Sequence, residues 1–112
     1  ADAVLQLGRG NIKAAETRLL QITRDDPLNA TALLELVRLY TQAADYEKAE
    51  LYGERALGLP EHKAAALVEL ARMEVQRRNL DRALEYVRAA NEISPSAQHL
   101  RYIETLENAL PR

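Results

Sequence analysis

Apolar residues in the middle of the chain return three or four positions apart: Leu33, Leu36, Val37 and Tyr40, then, after the polar stretch TQAAD, Ala49, Tyr52, Ala56 and Leu59. Each set follows the period of an α-helix with one covered face, and the break between them is too short for a strand, so the spacing predicts two antiparallel helices joined by a turn. The plan recurs further on. Leu67, Leu70, Ala71 and Met73 form one apolar set, QRRN is the break, and Leu80, Ala83, Val87, Ala90 and Ile93 form the other. Each pair is a helical hairpin. Near the start, the same reading gives a helix ending at about Leu7, a turn at GRGN, and a second helix over residues 12–23, closed by Asp25, Asp26 and Pro27. After Pro95 a last amphipathic helix carries Leu100, Ile103, Leu106 and Leu110 and stops at Pro111. About seven helices are expected.

The recurrence has a fixed interval. Ala15, Ala49 and Ala83 are spaced 34 residues apart, Ala56 and Ala90 by the same amount, and Pro27 and Pro95 by twice as much. A constant period in this range predicts stacked supersecondary units. Ala49 and Ala56 lie two helical turns apart on one face, where a deep core would place Leu or Ile. The methyl groups therefore mark a close helix crossing, and a longer side chain there would push the backbones apart at about 1–3 kcal/mol.

On these residues the chain resembles the tetratricopeptide repeat family. Its framework of large apolar residues, paired alanines and a closing proline is met by Leu33, Leu36, Tyr40, Ala49 and Ala56 in one unit. The next meets it with Leu67, Leu70, Ala71, Ala83, Ala90 and Pro95, and the first with Ala3, Ala15 and Pro27. The departures are a missing tryptophan, Val37 at a site for a small residue, Ile22 at a site for alanine, Glu74 where Tyr40 predicts an aromatic, and a turn glycine kept only as Gly10. The resemblance implies an all-α, right-handed α-solenoid of stacked helix-turn-helix repeats. It divides one domain over residues 1–112 into a partial repeat (1–29), two full repeats (30–63 and 64–97) and a C-terminal helix (98–112). Because ADAVLQLG opens in mid-pattern, a piece of a longer array is expected.

Composition narrows the chemistry. The formal net charge of −2 gives no general pull toward nucleic acid or anionic lipid, and no apolar run approaches the roughly 18 residues of a membrane helix. Without cysteine there is no disulfide and no thiolate metal site. The histidines are His62 and His99, and the serines Ser94 and Ser96; none forms a nucleophile-base pair. His62 reads as a solvated loop residue and His99 as part of a helix start beside Ser96. Asp25 and Asp26 lack the further oxygen donors of a calcium or magnesium loop, Gly8 and Gly10 lack the strand that precedes a phosphate-binding turn, and Arg77 and Arg78 are too short a run to track a nucleic acid. No enzyme, cofactor or metal is expected.

What remains is surface. In the family resembled, the first helix of each repeat lines a concave groove. Carried over, the groove residues are Val4 and Leu7, then Thr31, Leu34, Glu35, Arg38, Thr41 and Gln42, then Ala65, Val68, Glu69, Arg72, Val75 and Gln76, with His99 and Tyr102 from the last helix. Leu34/Glu35/Arg38/Gln42 and Val68/Glu69/Arg72/Gln76 repeat one another, and Glu35–Arg38 and Glu69–Arg72 read equally as surface pairs worth a few tenths of a kcal/mol. Acidic Glu35 and Glu69 argue against a clamp for the carboxylate tails of chaperones. The resemblance implies a protein-interaction scaffold that takes a peptide or protein segment, or else a spacer within a longer solenoid that self-associates through its ends; no nucleic acid and no membrane insertion are expected. Arginine outnumbers lysine twelve to three, a bias associated with GC-rich bacterial genomes, and similar segments serve in bacterial envelope assembly and polysaccharide export, which favours a periplasmic setting over a cytoplasmic one and leaves both open.

Overall fold

The computed structural model describes residues 2–111, with side chains described from Gly10 onward. Six α-helices follow one another: α1 (Asp2–Asp25), α2 (Ala30–Gln42), α3 (Tyr46–Leu57), α4 (Lys63–Gln76), α5 (Leu80–Ile93) and α6 (Ala97–Ala109), with a 3₁₀ turn at Pro60–His62 before α4. The described residues contain no strand. Consecutive helices pack on each other, and α2 also packs on α4. The radius of gyration is 15.1 Å and the extents are 42 × 37 × 22 Å, against about 13 Å for a compact domain of this length. The molecule is an open slab of stacked hairpins.

The expected seventh helix is absent because GRGN is not a turn: α1 runs through it without interruption. Glycine lowers helix propensity by about 1 kcal/mol per residue but does not end a helix by itself. Gly10 has no positive φ and no neighbour that would force the chain to bend.

The other breaks are where the pattern puts them. Pro27 and Pro95 fall just outside α-helices, and Pro60 opens the 3₁₀ turn at its first position, the places that a residue without a backbone donor tolerates. Side chains take up the orphan N–H groups of the following helices: Asn29 Oδ1 accepts from Ala32 N–H at 3.0 Å, Asp45 Oδ1 from Lys48 N–H at 3.4 Å, and Ser96 Oγ from His99 N–H at 3.0 Å.

The two hairpin turns are copies of one another. Ala44 has φ 58° and Arg78 has φ 66°, and they stand one repeat period apart. In the first, Ala44 N–H donates to the Thr41 carbonyl at 3.0 Å and Asp45 N–H to that of Tyr40 at 2.8 Å; in the second, Arg78 donates to Val75 at 3.0 Å and Asn79 to Glu74 at 2.8 Å. This is the Schellman termination, built here on left-handed residues that carry a β-carbon. Such a conformation costs roughly 1–2 kcal/mol in a residue other than glycine. Ala44→Gly and Arg78→Gly are each expected to stabilise the chain by about 1 kcal/mol, raising the thermal midpoint by roughly 4–8 °C, read by circular dichroism.

Three apolar clusters fill the slab. One joins α1 to α4 through Leu19, Leu36, Val37, Tyr40, Ala49, Leu70 and Met73. A second holds Leu33, Leu34, Ala56 and Ala66, and a third holds Ala71, Ala83, Leu84, Val87 and Leu106 from α4, α5 and α6. Ala49, Ala56, Ala83 and Ala90 are all 0% exposed, as close helix crossings require. Tyr40 and Glu74, one period apart, solve the same buried position differently. The Tyr40 ring stacks on Tyr52 with centroids 5.7 Å apart, and its hydroxyl donates to Glu16 Oε2 at 2.8 Å. Burial, then the bond to Glu16, pushes that hydroxyl well above the usual tyrosine range. Glu74, 1% exposed, instead accepts from Arg77 Nη1 at 3.1 Å and Asn79 Nδ2 at 2.9 Å, which fastens the α4–α5 turn.

Candidate partner-binding face

The residues expected to line a groove are distributed over α2, α4 and α6, and the structure gives them unequal roles. Val4 and Leu7 fall in α1, and their side chains lie outside the described residues. Thr31, Glu35 and Gln42 are exposed on α2, as is Ala65 on α4. Leu34 is only 9% exposed and packs with Ala56 and Ala66, so most of its surface is already used between repeats. Val68, Val75, His99 and Tyr102 are half-buried. The His99 ring is turned toward the α5–α6 junction, with Nδ1 2.8 Å from the Ser94 carbonyl oxygen.

Glu69 departs most from expectation. Read as a surface residue, it is 5% exposed, and its Oε1 accepts from Arg38 Nε at 3.0 Å and from Arg72 Nη1 at 3.1 Å. The Glu69–Arg72 pair exists, but around a buried carboxylate. Between Glu35 and Arg38 there is no ion pair among the described residues, because Arg38 reaches across to α4. The physical reason is the α2–α4 packing: it covers Glu69, and a covered carboxylate must be met by hydrogen-bond donors. Each arginine side chain remains more than half exposed, at 55% for Arg38 and 58% for Arg72. Among the described residues Arg38 bonds through Nε and Arg72 through Nη1, and their other guanidinium groups meet no partner. The group therefore presents two oriented, planar donors with one compensating charge. Glu69 does not act as the repelling charge counted from sequence; Glu35 still does.

Gln76 also turns out to be a fastener. Its Nε2 donates to the Thr41 carbonyl and to Tyr46 Oη, the latter at 3.0 Å, bridging α4 to the α2–α3 turn. The neighbouring Thr41 hydroxyl is buried without a partner. Tyr102 packs beside the α5–α6 cluster. Burial raises its hydroxyl above the usual range, with the charge of Arg72 opposing that shift and the charge of Glu69 adding to it. Arg38, Glu69 and Arg72 are thus joined across α2 and α4, and Tyr102 of α6 packs in the cluster that holds Ala71 and Val75 of α4, with Val68 one helical turn before Arg72.

Sequence reasoning missed the cross-repeat bonds from Arg38 to Glu69 and from Gln76 to Thr41. A signal existed: Glu69 repeats Glu35 within a strongly apolar helix face, and Arg38 stands one helical turn after Glu35, where either acid could claim it. Among the described residues no group of three His, Asp or Glu side chains could hold a metal ion, and no helix is long and apolar enough to cross a membrane.

A stack of helical hairpins, each packing only on its neighbours and fastened by methyl-sized crossings, defines an α-helical repeat protein. The family model described as Tetratricopeptide repeat matches residues 1–62, and the chain belongs to that family. Among curated proteins, none matches it. Membership agrees with an interaction module, since such repeats generally present surface and do no chemistry of their own.

Proposed function

We infer that the chain is a non-catalytic protein-interaction scaffold, and that the α2–α4–α6 face is the groove that takes a partner segment. The observation that carries this reading is the arginine group. Arg38 and Arg72 are oriented by a buried carboxylate and still offer free donors, beside the half-buried apolar surface of Val68 and Tyr102. Pre-orientation lowers the entropy lost when a partner binds. An extended or helical segment would seat an apolar side chain on Val68 and Tyr102 and place acceptors on the guanidinium edges. As its setting we propose a bacterial envelope or polysaccharide-export assembly, supported by the arginine bias and the family likeness; cell fractionation that puts the protein in the cytosol would refute that setting.

A photo-crosslinking residue at Val68, expressed in the native host, is expected to capture a discrete polypeptide, and one at Glu47 on the outer side of α3 is not. Val68→Glu with Tyr102→Glu should weaken binding of the captured partner by about tenfold or more with the helical signal intact. Capture from Glu47 in place of Val68 would put the partner on the other face. The rival spacer reading requires adhesive ends. Against it, α6 exposes Gln98, Arg101, Glu104, Thr105 and Asn108, with Leu100, 57% exposed, the large apolar side chain open among them. That face is largely polar and gives an end-to-end contact little apolar surface to bury.

A further inference from the structure

The outer side of α3 carries an apolar residue that the fold does not require. Leu51 is 53% exposed, and the residues one period away, Thr17 on α1 and Glu85 on α5, are polar and exposed as well. The position faces solvent in all three repeats, and in the middle one alone it is a leucine. The charges around it are sorted. Glu47 and Glu54 stand two turns apart on one flank of Leu51, and Lys48 and Arg55 two turns apart on the other, all four exposed. The basic flank is turned toward α1: Arg55 shares a cleft with Leu20 and Arg24, and Lys48 lies over the ring of Tyr40, whose hydroxyl is bonded to Glu16. A shallow hollow of ≈ 490 Å³ runs along Glu47, Leu51 and Glu54. Lys48 is 3.8 Å from Asp45, and Glu47, Glu54 and Arg55 form no ion pair among the described residues.

We propose that this face pairs two copies of the chain, α3 lying parallel to the α3 of the second copy about a twofold axis through the Leu51 contact. A patch with acids on one flank and bases on the other can meet itself in two twofold ways. With the helices antiparallel, each flank faces its own copy, acid on acid and base on base. With the helices parallel, Glu47 and Glu54 face Lys48 and Arg55 of the second copy, the same pairs form again by symmetry, and the two Leu51 side chains cover each other. The patch has no net charge of its own, so rotation of the same patch supplies its complement. A hairpin added to a stack packs on the end hairpin, whereas α3 has α1 on one side in the chain and α4 and α5 on the other; lengthening the array does not cover it. The groove around Val68 is built from other helices, and this inference does not rest on it. A contact of one helix on another falls below the about 1,200 Å² of standard interfaces, so the dimer is weak, with a Kd on the order of 100 μM. A chain present at about 1 μM or less stays monomeric, which leaves a crosslinker at Glu47 without a neighbour.

The test is sedimentation of the full chain from about 10 μM to about 1 mM at low salt. Conversion from monomer to dimer is expected, and it should weaken in about 1 M salt, where charges are screened beyond about 3 Å. Leu51→Glu copies Glu85 at the same place in the next repeat, so the fold tolerates it, and it should weaken the dimer by about tenfold or more. Lys48→Glu with Arg55→Glu, and separately Glu47→Lys with Glu54→Lys, should each give a monomer, and mixing the two variants should restore a one-to-one dimer. Orientation is read by Gly58→Cys in a chain with no cysteine of its own. Residue 58 lies about 10 Å along α3 from Leu51, so parallel helices bring the two thiols together and oxidation links them, while antiparallel helices hold them about 20 Å apart. Val68→Glu with Tyr102→Glu should leave the dimer unchanged, so failure of the groove reading and failure of this one are told apart. A chain that is monomeric at about 1 mM, charge variants that do not associate when mixed, or an unlinked Gly58→Cys overturns the proposal. So does a dimer that survives Leu51→Glu and is lost in Leu100→Glu, which would put the contact at the end of the stack.

Discussion

Ala83→Leu is expected to destabilise the chain by about 1–3 kcal/mol, and Ala49→Leu by a similar amount, although each adds apolar surface to a helix and leucine is nearly as good a helix former as alanine. Propensity cannot rescue either change, because neither site has room. Ala83 is 0% exposed between Ala71, Leu84, Val87 and Leu106, and Ala49 is 0% exposed against Leu36, Val37 and Tyr40. The added isobutyl group would have to separate the helix axes, and in a linear stack a separation at one crossing opens the contact with the next hairpin as well. Urea unfolding provides the measurement, with Ala65→Leu at an exposed site of α4 as the comparison expected to stay within about 0.5 kcal/mol. If Ala83→Leu unfolds at the same urea concentration as Ala65→Leu, close approach is not why these positions are small.

That prediction rests on a pattern visible in the sequence, and the reasons other features were not visible are physical. The period, the alanines and the hairpin plan are all set by helix-helix contact, which acts on residue size and recurs in every unit, so it leaves a mark at fixed spacing. Terminations leave weaker marks. GRGN looked like a turn because two glycines disfavour a helix locally, yet α1 continues through them; TQAAD and QRRN contain no glycine and do turn, forcing Ala44 and Arg78 into a left-handed backbone. Local propensity is worth about 1 kcal/mol in either direction, and packing overrides it. Position alone assigns polar residues on the first helix of each repeat to a ligand. Three-dimensional pairing reassigns Glu69 and Gln76 to holding repeats together, and it turns Glu74, an apparent departure from the family framework, into the anchor of a turn. A bond between residues separated by 31 or 35 positions writes no local periodicity, so nothing short of the packed α2–α4 interface reveals it.

Leu70→Ala should be the most damaging single truncation on this side of the molecule, at about 2–5 kcal/mol, because Leu70 is 0% exposed in the cluster that joins α1, α2, α3 and α4. It also explains a glycine in the middle of α3. A β-carbon added at Gly53 would lie 2.5 Å from Leu70 Cδ2 and 3.0 Å from its Cγ, and the leucine, held on all sides, cannot swing away. Two effects then oppose one another in Gly53→Ala: helix propensity favours alanine by about 1 kcal/mol, and overpacking disfavours it by about 1–3 kcal/mol. With Leu70 in place the second should win, and Gly53→Ala should destabilise. With Leu70→Ala the obstruction is gone and the new methyl enters the cavity, so the same substitution should stabilise by about 1 kcal/mol. A cycle of the four variants by urea unfolding reads the coupling directly, with an expected interaction of about 0.5–3 kcal/mol. Should Gly53→Ala shift stability equally in both backgrounds, the glycine is there for some reason other than the α3–α4 contact. A reversal of sign would show that this crossing, like those at the alanines, is set by how closely two backbones must approach.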